Sequence, residues 1–352
     1  MEDIVLEKKQ KVCILSIDGG GIRGIIPAII LQQIEEKINS KTGLNKNVSQ
    51  YFDLVAGTST GGILACGMLT PKDGMIPKYS VRDIIQLYEN EGPGIFKKRY
   101  KTRIGHFFGC RYDNVNIQNP LNEYFGETRL NELLKPCIIS AYDIDRRRAH
   151  FFTSFDAVEK TKNFFVKDVL QATSAAPTFF EPAKVKSLNQ AEYALIDGGV
   201  FVNNPALCAY AEARKMKFPE KQHDKPTAKN MIIISLGTGS IKKGYLHDNA
   251  RKWGAIGWIR PLINIMMSAS SEVVDYHLKR IFESLPGPDS ICYIRFQLDL
   301  PEKIVDPEMD NASKKNLEAL KNTALRYVDD NEDIVSNVAD LLLKNNVHEP
   351  VI

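Results

Sequence analysis

The run Gly57-Thr58-Ser59-Thr60-Gly61 stands between the apolar segment Tyr51 to Ala56 and the small, apolar residues Gly62 to Leu69. The first flank reads as a strand and the second as a helix, which forces the five residues between them into a sharp turn. Glycines at both ends of such a turn let neighbouring backbones approach closely. The serine is then raised at the helix N-terminus, where backbone N–H groups and the helix dipole favour developing negative charge. G-x-S-x-G in this setting is the nucleophile elbow of serine hydrolases, so Ser59 is the candidate nucleophile. The five residue types also cluster in ordinary surface turns; the flanking strand and helix are what point to chemistry.

The chain has 352 residues, 43% of them hydrophobic, enough for a sizeable core. Its 46 basic and 43 acidic residues leave a net charge of +3, too small by itself to imply nucleic acid as a partner or substrate. Six cysteines, at 13, 66, 110, 137, 208 and 292, are scattered and form no C-x-x-C pair. They read as buried thiols of a reducing compartment, with neither a disulfide framework nor zinc-ligand or calcium-loop spacing, so no metal or cofactor is expected. The first residues, Met1 to Lys9, are acidic where a secretory signal is basic, and no run of about 18 apolar residues predicts a membrane span. These features predict a cytoplasmic protein.

From residue 11 short β-rich runs alternate with amphipathic ones. The pattern predicts strands at 12–17, 52–56, 136–142, 150–153, 193–196 and 231–236, and helices at 25–38, 62–69, 81–91, 164–174 and 205–217. Alternation of this kind, with continuously apolar strands, predicts an α/β fold with a mostly parallel central sheet covered on both faces. No repeat or Pro/Ser-rich linker interrupts it, which predicts one domain over 11–300 and a C-terminal helical extension over 301–352.

After the first strand comes Asp18-Gly19-Gly20-Gly21-Ile22-Arg23-Gly24. Gly19, Gly21 and Gly24 fit G-x-G-x-x-G, but a dinucleotide site needs an acid at the end of the second strand, and Gly57-Thr58-Ser59 stands there instead. In the other reading, successive glycine N–H groups form an anion-binding nest at a helix N-terminus. If strands ending at 17 and 56 are sheet neighbours, Gly19, Gly20, Gly21 and Gly24 lie beside Ser59 as an oxyanion hole. Arg23 either supports this loop, as part of a salt bridge, or meets a substrate phosphate.

A serine nucleophile needs a proton acceptor. None of the six histidines, at 106, 150, 223, 247, 277 and 348, is framed by turn glycines or placed just past a strong strand. Asp197, in Ala194-Leu195-Ile196-Asp197-Gly198-Gly199, ends an apolar strand and is followed at once by two glycines, the position where an α/β sheet presents catalytic groups. An Asx-turn acid or helix cap is the plainer alternative for the same residue.

Four motifs in this order, the loop 18–24, Gly57 to Gly61, Ala172-Thr173-Ser174-Ala175-Ala176-Pro177-Thr178-Phe179-Phe180, and Asp197-Gly198-Gly199-Val200-Phe201-Val202-Asn203-Asn204-Pro205, resemble the patatin-like phospholipase family. With Leu236-Gly237-Thr238-Gly239 the resemblance spans about residues 11 to 300. It implies a three-layer α/β/α fold and lipid acyl hydrolysis by a Ser–Asp dyad, with Ser59 as nucleophile, Asp197 as base and the Gly19 to Gly24 loop as oxyanion hole. The implied substrates are phospholipid or related acyl esters at a membrane surface. Because the family includes effectors switched on by nucleotides or proteins, the second expectation is a ligand-gated effector with a regulatory partner.

Two segments suit a lipid interface. Phe96 to Phe108 mixes cations with aromatics, a composition equally at home on anionic headgroups, on nucleic acid or in a solvated loop. Trp253 to Met267 is unusually apolar and reads either as a buried core helix or as a lid or acyl-channel wall.

Overall fold

Val12–Ile17 forms the first strand, β1, with every residue buried. It is the middle of the sheet because its apolar side chains leave no face for water. The computed structural model describes residues 10–98, 109–241 and 244–346. The basic and aromatic run at 96–108 lies outside the described residues from residue 99 onward, as does the N-terminal stretch 1–9.

After β1 come α1 (Ile25–Thr42), β2 (Leu54–Thr58), α2 (Thr60–Leu69), α3 (Val81–Ile95) and α4 (Asn114–Phe125). The chain continues through β3 (Cys137–Asp143), β4 (Arg148–Thr153), α5 (Val166–Thr173), β5 (Ala183–Lys186), β6 (Glu192–Asp197) and α6 (Ala206–Ala213). A two-residue ribbon, β7 (Lys217–Phe218) with β8 (His223–Asp224), precedes β9 (Met231–Leu236), α7 (His247–Ala250), α8 (Ala255–Glu283) and β10 (Tyr293–Phe296). Two helices, α9 (Lys314–Asp330) and α10 (Glu332–Asn345), close the described chain.

The sheet runs β10-β9-β1-β2-β3, all parallel, and continues through β6 and β5, which are antiparallel. Helix α6 packs on β1, β2 and β9 and touches α8, whereas α2 packs on β2 and α5 on β3, so helices flank the sheet in two groups. This is the mostly parallel three-layer α/β/α arrangement with a helical C-terminal region that the sequence predicts. β1 and β2 are neighbours, with Ile17 opposite Gly57, so the loops that follow them start side by side.

β3 decides the rest. Its residues Ile138 to Asp143 pair with β4 along one edge. The other edge is shared end to end: Thr58 of β2 lies opposite Ser140, and Asp197 of β6 lies opposite the next residue, Ala141. Because β2 runs parallel to β3 and β6 antiparallel, the C-terminal ends of β2 and β6 meet head to head.

Element boundaries follow local chemistry. α3 starts at a capping box in which the Asp83 amide donates to Ser80 Oγ (3.2 Å) and the Ser80 amide to Asp83 Oδ2 (2.8 Å). β2 begins at Leu54 and reaches Thr58, two residues later than the predicted 52–56, because Asp53 is tied to β1: the Cys13 amide donates to its carboxylate (2.8 Å) and its own amide to the Cys13 carbonyl (2.8 Å). α4, which carries Pro120 and several asparagines, and the four-residue strands β5 and β10 lack a period long enough to read.

Ile25 to Leu31 of α1 are buried without a break, since α9 and α10 pack against this helix. At the end of α10, Asn345 pairs with the backbone of Lys11, accepting its N–H (2.6 Å) and donating to its carbonyl (2.7 Å), as a strand neighbour would. Leu342 is fully buried in the common core. Leu342→Ala is expected to lower unfolding stability by about 2–5 kcal/mol, within a single cooperative transition in denaturant monitored by circular dichroism. An unchanged midpoint would mean that α10 is not part of the folded unit.

Candidate active site

Ser59 follows β2 directly and has φ 53° and ψ −124°. A serine with positive φ is strained, and such strain persists only where neighbouring contacts over-determine the backbone. Here the Ser59 amide donates to Thr173 Oγ1 (2.8 Å), whose hydroxyl donates in turn to the Ser140 carbonyl (2.6 Å). The Ser59 carbonyl accepts the amides of Gly62 (2.8 Å) and Ile63 (3.2 Å) as α2 begins. A Cβ on Gly61 would collide with the Ile17 carbonyl, so only glycine lets α2 start against the end of β1.

Asp197 arrives from the opposite direction at the end of β6. Its amide donates to the Ala175 carbonyl (3.0 Å), and its Oδ1 accepts the Gly199 amide (2.7 Å). A Cβ on Gly198 would collide with Ser140, so the turn after Asp197 closes tightly on β3. Ser59 and Asp197 are 7% and 4% exposed and line the same cavity, with the Ser59 hydroxyl close enough to the Asp197 carboxylate to favour its charged form. Burial pushes the Asp197 carboxyl up to about 6, although the hydrogen bonds from Ser59 and Gly199 pull it down. Such a carboxylate is a better proton acceptor than one in water, while still ionised at neutral pH.

The glycine loop lies against this pair. A Cβ on Gly19 would come within 3.2 Å of Ser59 Cβ. The Gly19 amide is committed to the Asn203 carbonyl (3.1 Å) and the Ile22 amide to the Met309 carbonyl (2.9 Å). Among the described residues, neither the Gly20 nor the Gly21 amide donates to a backbone carbonyl, and Gly21 lines the same cavity as Ser59 and Asp197. Gly24 sits where the loop turns into α1, packed on the hydroxyls of Thr60 and Tyr88. Arg23 is 8% exposed and folds back so that Nε donates to the Gly20 carbonyl (3.4 Å); burial lowers its pKa to about 10, opposed by the charge of Glu308.

The cavity shared by Ser59 and Asp197 measures about 80 Å³ and is walled by apolar side chains, among them Ile63, Leu87, Ile95, Ile117, Phe179 and Phe180. Among the described residues no histidine lines it. His150 is held between Phe152, Phe164 and Tyr193, and burial depresses its pKa to about 4; His277 is exposed on α8. A wider cleft of about 1320 Å³ carries the polar side chains of Asp18, Arg23, Asn203, Thr238 and Arg295 together with apolar ones such as Tyr245, Trp253 and Ile265. Among the described residues no group of three or more His, Cys, Asp or Glu could hold a metal ion, and no helix is long and apolar enough to cross a membrane.

Three supports of the site are not legible in the sequence. Thr173 and Ala175 clasp the backbones of Ser59 and Asp197 from one short segment, which gives the 172–180 motif a physical role. Asp18 forms a buried two-point ion pair with Arg295 (2.8 and 2.6 Å), and Arg295 also donates to Ser235 (2.8 Å), fixing the start of the glycine loop to β9 and β10. Met309, beyond residue 300, holds the Ile22 amide. The Thr173–Ser59, Asp18–Arg295 and Ile22–Met309 contacts each join residues more than a hundred positions apart, so no local spacing announces them.

Because the folded Asp197 carboxyl titrates near 6 against 3.8 in a model peptide, the folded state loses about 3 kcal/mol from this group as pH rises from about 4 to neutrality. Asp197→Asn removes that titration. Its stability relative to the parent is therefore expected to be higher at neutral pH than near pH 4 by about that amount, measured by urea unfolding. A difference that does not vary with pH would contradict the buried, ionised carboxylate.

A family model described as patatin-like phospholipase matches residues 15–210. The chain is 34% identical over 350 residues to patatin-like protein 2 of Oryza sativa subsp. indica, covering 92% of this chain and 85% of that protein. It is 32% identical to patatin-like protein 1 of Arabidopsis thaliana, covering 100% of this chain and 90% of the relative. It is 34% identical to patatin-04/09 of Solanum tuberosum, covering 89% and 82%. A model matching more than half of the chain, with relatives aligned along nearly all of it, means that the chain belongs to the patatin-like phospholipase family.

Proposed function

We propose that this chain is a lipid acyl hydrolase of the phospholipase A or lysophospholipase type, cleaving fatty-acyl esters of phospholipids or galactolipids through Ser59 and Asp197. The observation that carries the reading is the convergence of Ser59 and a buried Asp197 on one apolar cavity. Family membership supports the reaction class. The proposed reacting groups lie in a domain of residues 11–300, and the helical extension that follows it adds Met309 to the support of the glycine loop.

Ser59 Oγ attacks the ester carbonyl carbon as its proton passes to Asp197. The loop of Gly19, Gly20, Gly21 and Gly24 is the oxyanion hole: the Gly20 and Gly21 amides donate to the new oxyanion, while Gly19 and Gly24 fix the loop against Asn203 and Thr60. The carbonyl–alkoxy bond then breaks, and the departing alcohol or lysolipid takes the proton from Asp197. Water attacks the acyl-enzyme, giving its proton to Asp197; the carbonyl–Oγ bond breaks, Ser59 recovers the proton and the fatty acid leaves. Arg23 supports the loop through the Gly20 carbonyl, and its remaining N–H groups suit a substrate phosphate at the edge of the wider cleft. Nothing in this cycle calls for a metal or cofactor. The protein works in the cytoplasm and meets membranes peripherally, with no nucleic acid as substrate.

Fatty-acid release from phospholipid vesicles tests the reading. Ser59→Ala and Asp197→Asn are each expected to lower turnover by about a thousandfold or more. The parent rate is expected to rise with pH through about 6, where Asp197 ionises, and then level off. Equal activity in all three proteins would sink the dyad. A parent that stays silent until a nucleotide or protein extract is added would move the reading to a gated effector.

A further inference from the structure

The first half of α8 leaves most of its apolar side chains exposed, whereas Val274, Leu278 and Phe282 of the second half are buried. At roughly 100° per residue, Asn264, Ser268, Ser271, Glu272 and Asp275 share one arc of the helix, and all five line the wider cleft. The remaining arc carries Ile256, Trp258, Ile259, Leu262, Ile265 and Met266, all exposed, Ile256 at 73% and Leu262 at 48%. A surface helix of a soluble domain normally turns its apolar stripe to the core and its polar face to water. Single exposed apolar residues are ordinary, but six on consecutive turns of one helix form a patch that marks an interaction surface. The buried-core reading of Trp253 to Met267 therefore fails: the segment is helical from Ala255, but most of its apolar side chains are exposed, and only Ile263 and Met267 turn to the cavity of Ser59.

The patch leads to the site. Ile256, Ile259, Ile263 and Met267 follow one another at spacings of three and four, so they form a single stripe along α8. Its outer members are exposed, whereas Ile263 and Met267 line the cavity that holds Ser59 and Asp197. Beside the helix N-terminus Trp253 meets Tyr245 (5.2 Å) and Trp258 (5.0 Å) edge to face, and Arg251 and Lys252 are exposed. Amphipathic aromatic rings next to cations suit the headgroup level of a bilayer.

We propose that the outward arc of α8 docks on the surface of a lipid bilayer, with Trp253, Trp258 and Tyr245 at headgroup depth and the Ile256–Met267 stripe as the apolar route from the acyl chains to Ser59. The lipid substrate rests on the hydrolase reading; the docking itself does not need turnover. A bilayer fits better than a second copy of the chain, because a copy seated on this arc would cover the route along which the stripe leads.

Trp253 and Trp258 are the two tryptophans of the chain, so intrinsic fluorescence reports on this helix alone. Full-length Ser59→Ala protein, titrated with vesicles of phosphatidylcholine and phosphatidylglycerol, is expected to show a blue shift, quenching by brominated acyl chains and co-sedimentation. Ile256→Glu and Leu262→Glu are each expected to weaken partitioning by about tenfold or more. In protein carrying Ser59, Leu262→Glu, which lies outside the stripe, should lower release from vesicles by a similar factor and leave turnover of a short-chain, water-soluble ester unchanged. Absence of a fluorescence response, or partitioning unaffected by both substitutions, overturns the docking. So does an equal loss on the soluble ester, or a stable dimer that Ile256→Glu dissociates. Vesicle binding by Ser59→Ala, with no hydrolysis of either ester by the parent, upholds the docking and overturns the hydrolase reading.

Discussion

The head-to-head meeting of β2 and β6 on one edge of β3 is the constraint on which the site depends. Thr58 and Asp197 lie opposite the consecutive residues Ser140 and Ala141, so two segments separated by more than a hundred residues deliver Ser59 and Asp197 to one point. The junction is held from beneath: Thr58 Oγ1 hydrogen-bonds Ser140 Oγ (2.7 Å) and the Val202 carbonyl (2.8 Å), and Gly198 leaves no room between itself and Ser140. Because β4 occupies the opposite edge of β3, neither strand end has another place to pair. The register thus brings a carboxylate beside the serine, the arrangement that the proposed dyad needs in place of a histidine.

Electrostatics then separates two buried aspartates by role. Among the described residues no cation moderates Asp197, so burial raises its pKa and hydrogen bonding opposes the rise. Asp18, equally buried, faces the Arg295 guanidinium at two points, and that charge opposes the cost of its burial. The first arrangement yields a proton acceptor poised near neutrality, and the second a fixed anchor for the glycine loop. Proton-transfer chemistry in a dry cavity needs both: a base free to change charge and a frame that does not.

The sequence carried the positions of the reacting groups because each sits at the end of a readable strand. β1 leads to the glycine loop, β2 to Ser59 and β6 to Asp197, and period and punctuation locate all three. The supports escaped because they are side-chain to backbone bonds across the sheet. Thr173 reaches Ser59, Arg295 reaches Asp18 and the Met309 carbonyl reaches Ile22, none with a local pattern. Of the two readings of Trp253 to Met267, the buried core helix fails for a different reason: apolar periodicity identifies a stripe but not what faces it, and here most of the stripe is exposed while Ile263 and Met267 line the cavity.

The central claim is that Ser59 is activated by Asp197 and by no other residue. The most direct measurement is the rate of covalent labelling by a long-chain alkyl fluorophosphonate, in which serine oxygen bonds to phosphorus and fluoride leaves. Intact-mass and peptide spectra should place one adduct on Ser59, absent in Ser59→Ala and formed far more slowly in Asp197→Asn. An adduct on another residue, or labelling of Ser59 at the same rate without the Asp197 carboxylate, would contradict the account.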